Sequence, residues 1–177
     1  STERSTVTID GMHIFGACTD KMDPITSYVE SNNLSSIDIK SGQEGSMHGS
    51  TVAGSIDLKR KSTAFGENPE WKGSYQSGFE FNNNQFFNMG NASYSSKKFV
   101  TDASISYRKA ENYLNGNNEE VNHSQFKKLN SSLGLAYKTS ELSSVRVDAI
   151  FDQAKDVGYP ALPMDLWLSR ALITSLS

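Results

Sequence analysis

One cysteine, Cys18, stands in 177 residues, so no internal disulfide braces the chain. That lone thiol and three scattered histidines make no nucleophile–base pair with recognisable spacing, and no enzyme is expected. No stretch approaches the ~18 consecutive apolar residues of a membrane-crossing helix. A basic excess is missing too: the net charge is −3 with 21% charged residues, which excludes a nucleic-acid partner. The opening "STERSTVTIDG" has neither a basic n-region nor an apolar core, so no signal peptide is read. Either the mature chain starts there or its beginning is missing.

Aromatic residues reach 10% in a chain that is hydrophilic on average. That combination suits a β-protein with apolar residues on one face only. The first third is punctuated by glycine. "TVTIDG" reads as a strand closing in an Asp-Gly turn, "SSIDIKSG" as a second strand and "VAGSIDLKRK" as a third. Between the first two, "DPITSYVES" reads as about two helical turns, with Asp23 as cap and Pro24 at the first position. Residues 1–62 are thus expected to form a small α+β unit.

Residues 63–177 change character. "EWKGSYQSGFEFN" sets Trp71, Gly73, Tyr75, Ser77, Phe79 and Phe81 against Lys72, Ser74, Gln76, Gly78, Glu80 and Asn82. "FVTDASISYRK", "KLNSSLGLAYK" and "SVRVDAIFD" repeat the rhythm, "QFFNMGNASY" follows it less regularly, and a last strand begins near Leu168. Period-two alternation over about ten residues marks a strand with one apolar and one wet face. The connections alternate as well. "SSKK" and "TSEL" are short, whereas "ENYLNGNNEEVNHSQ" and "DQAKDVGYPALPMDLW" are long and rich in turn formers. Short turns at one end and long loops at the other characterise an outer-membrane barrel. A soluble extracellular β-sandwich adhesin shares the alternation. Six strands do not close a membrane barrel, and an open edge in lipid leaves backbone groups unpaired. On the barrel reading, therefore, this chain is a fragment.

"VTIDGMHIFG" followed by "YVESNNLSSIDIKSGQEGSMHGSTVAGSIDLKRK" resembles the second half of the plug domain of TonB-dependent outer-membrane receptors. Ile37, Asp38, Ile39, Gly42, Ser46, Gly49, Ala53, Gly54 and Ile56 fill the places of that family's I-E-V-x-x-G-x-x-S-x-x-Y-G stretch and its return strand. His48 stands where tyrosine is usual, and Ser55 where a second glycine is. The resemblance implies a transmembrane β-barrel of about 22 strands with an α+β plug inserted in it. Residues 1–62 would be the C-terminal part of the plug and residues 63–177 about six barrel strands. It further implies a bacterial outer-membrane setting with lipid around the wall, and the TonB complex as partner.

Within "GACTDKM", Cys18 and Met22 are spaced i, i+4, adjacent on one face if the segment turns helically. Thiolate and thioether form a soft pair that selects Cu(I), although such a pair is more often a packing contact. The spacing resembles the C-x-x-x-M motif of a copper-importing branch of the family, whose barrel also supplies methionine ligands. The resemblance makes Met164, in "GYPALPMD", the barrel candidate, and places a further H-x-M ligand beyond Ser177. The implied function is import of copper as transported ligand. A receptor for a siderophore, haem or another small nutrient is the alternative. His123 is expected to be a solvated loop residue, and Arg146, Asp148 and Asp152 to line the channel wall or bond the plug.

Overall fold

A computed structural model describes residues 5–14, 24–41, 54–161 and 164–177. The described chain is nearly all β-strand, with no α-helix and two 3-10 turns, Ile25–Tyr28 and Ser31–Asn33. It divides into two compact units, Ser1–Ser62 and Thr63–Ser177.

The first unit is a four-stranded sheet of β1 (Ser5–Ile9), β2 (Met12–His13), β3 (Leu34–Ser41) and β4 (Gly54–Arg60), in the order β2-β1-β4-β3. β1 runs parallel to β4, and β3 antiparallel to it. The Asp-Gly signal is realised as a tight turn, with φ of 51° at Asp10 and 74° at Gly11. Both values are positive, as the hairpin turn that matches strand twist requires. Asp57 secures the turn by accepting from the Gly11 amide at 2.9 Å and from the Thr8 hydroxyl at 2.7 Å. Arg60 donates to Asp10 through both its amide (2.8 Å) and its Nε (2.6 Å). Ile9, Leu58 and Tyr28 are buried.

The two-turn helix expected over "DPITSYVES" is instead one 3-10 turn. Pro24 precedes it in extended conformation, and Asp23 lies outside the described residues. The β-branched Ile25, Thr26 and Val29 lose side-chain freedom in an α-helix, and the short turn suffices to bury Tyr28.

The second unit is a six-stranded antiparallel sheet of sequential neighbours. Its strands are β5 (Glu70–Glu80), β6 (Gln85–Ser95), β7 (Phe99–Ala110), β8 (Phe126–Lys138), β9 (Ser144–Tyr159) and β10 (Met164–Leu176). "SSKK" and "TSEL" form the short connections, with Ser96 donating to the Phe99 carbonyl and Thr139 to that of Ser143. Residues 111–125 form the expected long connection. The second expected loop does not exist as such. Residues 152–159 continue β9 and residues 164–167 belong to β10, so that only 160–163 separate them. Beyond Asp152 both faces of the hairpin carry polar residues, which erases the apolar alternation while the backbone pairing continues.

Register alignment gives each face a coherent identity. One face carries Ile105, Leu133, Leu135, Val147 and Leu172, and these are exposed, between 41% and 71%. The opposite face carries Ser106, Asn130, Asp148 and Asp152, each at most 6% exposed. A water-soluble sheet has the reverse arrangement. Aromatic side chains flank the apolar band: Trp71, Tyr94 and Phe99 pack in sequence near the short turns, with ring centroids 4.9 and 6.3 Å apart. Tyr107 lies one row beyond Ile105, toward the other end.

On the polar face, Arg146 donates to Asp148 from Nε (2.8 Å) and to Asp102 from Nη2 (3.1 Å). Asp102 also accepts from the Thr63 amide at 3.1 Å, which fixes the start of the unit against its own wall. Farther along the connecting segment, the Lys97 ammonium bonds the exposed Glu67 carboxyl and holds it below the usual carboxylate range. Gly134 leaves the space that Arg146 occupies, since a Cβ there would meet Nη2 at 2.2 Å and Asp148 Oδ1 at 2.8 Å. At Gly90, on the other face, the nearest atom would be 3.6 Å away. Gly134→Ala is expected to lower unfolding free energy by about 2 kcal/mol by displacing a paired, half-buried cation. Gly90→Ala should change it by less than about 0.5 kcal/mol. Denaturant unfolding of the two variants, followed by tryptophan fluorescence, checks the contrast.

Candidate functional site

Of the three residues singled out as metal ligands, Cys18 and Met22 lie outside the described residues. Met164 opens β10, with its backbone paired opposite Tyr159. It therefore stands at the head of a strand and not within a long loop. A fourth sulfur, Met89 in β6, is placed by register on the polar face, opposite Ser106 of β7 and Gln76 of β5. Among the described residues, no group of three or more His, Cys, Asp or Glu side chains is gathered to hold a metal.

The residue that follows Met164 in β10 is firmly held. Asp165, its neighbour, accepts from Gln125 Nε2 at 3.1 Å and lies 2.9 Å from His123 Nδ1. His123 is thus held by the β9–β10 hairpin and is not simply solvated, as the sequence suggested. A bond across 42 positions of chain leaves no local trace in the sequence. His123 has a φ of 59°, and its backbone presses on Gly158, where a Cβ would come within 2.3 Å. The Gly158 amide donates to the Gln125 carbonyl at 3.0 Å. Glycine at 158 is what admits this close approach, and an isolated glycine inside a strand was the signal available for it.

A bulge adds to the construction. Lys127 pairs with Lys155, yet the next bond joins Gln125 to Gly158, so β9 carries one extra residue near Asp156. Asp156 has a φ of 50°, and the bulge turns its carboxylate to within 2.7 Å of Lys127 Nζ. Bulges commonly re-aim a side chain in this way.

Below this end, the polar face is a continuous wall of bonded groups. Asn130 donates to Asp152 at 2.7 Å, and Lys128 lies 3.5 Å from the same carboxylate. Ser104 and Ser132 share a hydrogen bond at 2.6 Å. Arg146, Asp148 and Asp152 lie on this polar face: Arg146 bonds Asp148 within β9 and Asp102 two strands away in β7, and Asp152 bonds Asn130 of the adjacent β8. Their charges are compensated within the sheet, so the wall is polar without a large excess of either sign.

No protein-family model and no curated protein matches this sequence. Among solved structures, the copper transporter OprC is similar over 86% of this chain, with a TM-score of 0.72 at 20% sequence identity. The chain spans 24% of that transporter's length. The likeness establishes a shared β-rich fold.

Breaking the His123–Asp165–Gln125 contacts should free the long connection without unfolding the sheet. Asp165→Ala is expected to accelerate amide exchange in residues 121–125 severalfold, because the contacts that tie them to the hairpin are lost. Exchange within β7 and β8 should remain unchanged, as hydrogen–deuterium exchange mass spectrometry can show.

Proposed function

We propose that this chain is part of a TonB-dependent outer-membrane transporter that imports copper. In this reading residues 1–62 are the C-terminal part of a plug and residues 63–177 are the first strands of the enclosing barrel. The observation that carries it is the reversed sheet of the second unit, with an apolar face exposed and a polar face buried. A strand wall between lipid and a polar lumen has that distribution; a soluble sandwich would bury the face bearing Ile105, Leu133 and Leu172. The likeness to a copper transporter over most of this chain supports the same fold.

The direction of the chain agrees with this arrangement. A strand leaving the plug from the periplasmic side runs outward, which puts the short β6–β7 and β8–β9 turns in the periplasm. Residues 111–125 and the β9–β10 hairpin then stand at the extracellular end. Met164 is at that end, and in the plug reading so is the segment bearing Cys18 and Met22. Thiolate and two thioethers would bind Cu(I) as cargo, since soft sulfur ligands prefer it to hard divalent ions. Movement of the ion past the plug would follow TonB-driven rearrangement of the plug, and the compensated polar wall would offer a route with no strong trap for a cation.

The test is copper stoichiometry in the purified whole protein. The wild type is expected to retain about one copper ion per chain, and Cys18→Ala and Met22→Leu each to lose most of it. Met164→Leu should weaken retention while preserving part of it. Equal copper in the wild type and Cys18→Ala would refute the site. Iron or haem uptake lost on deletion of the gene, with copper unchanged, would point to the nutrient-receptor alternative.

A further inference from the structure

Lys109, Lys127 and Lys155 occupy one row of the exposed apolar face, on three adjacent strands. Lys109 pairs with Lys127, and Lys127 with Lys155. Like charges directly opposite each other across a ladder repel and destabilise it. One row nearer the apolar band on the same face stands Arg170, opposite Gln153. Two carboxylates approach the group: Asp156 at 2.7 Å from Lys127, and Glu111 at 3.9 Å from Lys109. Four cations thus face two anions, within a chain whose net charge is −3. Lys155 is exposed, and no carboxylate bonds it among the described residues.

The neighbouring rows tell what kind of anion belongs here. Phe86 and Phe79 continue the lysine row on β6 and β5, and Leu168 continues it on β10. The following rows toward the short turns pass through Tyr107 to Ile105, Phe151 and Leu172, all on the same exposed face. A ligand meeting both features has a negative head at the lysine level and hydrocarbon lying along the sheet below it. Basic groups at a membrane boundary attract anionic lipid heads, and long lysines can reach up to that level from an apolar surface.

We propose that Lys109, Lys127 and Lys155, with Arg170 beneath them, bind the phosphate groups of an anionic membrane lipid whose acyl chains cover the apolar band. The site rests on the barrel reading given above and uses none of the residues assigned to copper. The bulge at Asp156 tunes it by neutralising one lysine of the three.

Whole protein purified in mild detergent can be titrated with bisphosphorylated lipid A or with zwitterionic phosphatidylcholine, and retained lipid counted by native mass spectrometry. The wild type is expected to retain lipid A and to release phosphatidylcholine. Combined Lys109→Gln, Lys127→Gln and Lys155→Gln exchanges should weaken lipid A retention about tenfold or more, while the corresponding arginine exchanges preserve it. If the triple glutamine variant does not fold, Lys155→Glu alone reads the same loss. Unchanged retention in the glutamine variant, or equal binding of both lipids by the wild type, overturns the proposal. Insertion of the wild type into lipid vesicles is measured in parallel. Failure there removes the barrel reading together with this site, whereas insertion with unselective lipid binding removes this site alone.

Discussion

In hydrocarbon an unpaired backbone amide or carbonyl has no water to turn to, and each one costs several kcal/mol. The second unit meets that constraint in its interior. β6, β7, β8 and β9 each pair with a neighbour on both sides, in continuous antiparallel register. Once the backbone is satisfied within the sheet, the side chains are free to sort by surroundings. The exposed face takes aromatic and aliphatic groups, and the other face takes Ser, Asn, Asp, Lys and Arg. Burial of those polar groups is tolerable because they bond one another, as Arg146 does with Asp102 and Asp148. Gly134 makes that tolerance possible by leaving room for the guanidinium.

The same pairing continues past the apolar band into the tall β9–β10 hairpin. There the ladder supports a polar platform and no longer carries the exposed apolar band. The bulge at Asp156, the close approach at Gly158 and the Asp165–His123 contact together hold residues 111–125 against the hairpin. Met164 opens β10 in this platform, with its backbone paired opposite Tyr159. The first unit relies on a different device. Asp57 and Arg60 grip the Asp10–Gly11 turn and so tie the β1–β2 hairpin to β4.

Alternation made four strands readable in the sequence nearly to their ends, because along β5, β7, β8 and the lower part of β9 the two faces meet different surroundings. It failed in the upper part of β9. From Gln153 to Tyr159 both faces carry polar side chains, and Pro160 and Pro163 suggested a loop. The helix expected around Pro24 failed for another reason: capping residues and a proline signal a start, but β-branched residues and one buried tyrosine shortened what followed. Polar-face residues such as Arg146 and Asp148 were identifiable from parity alone. Their partner Asp102 and the role of Gly134 depend on strand register, which a single sequence does not encode locally. The Cys18–Met22 pair was legible only as spacing, and Met164 only by its place in a resemblance.

The central claim is that the face bearing Leu133 and Leu135 meets lipid while its opposite meets a polar interior. Nitroxide labels placed one at a time at residues 131, 132, 133, 135 and 136, in a Cys18→Ser background reconstituted in lipid vesicles, measure this directly through their accessibility to oxygen and to a water-soluble nickel chelate. The account predicts a two-residue oscillation, with oxygen accessibility highest at 131, 133 and 135 and low at 132 and 136. Uniform access to the nickel chelate at 133 and 135, or no oscillation at all, would contradict it.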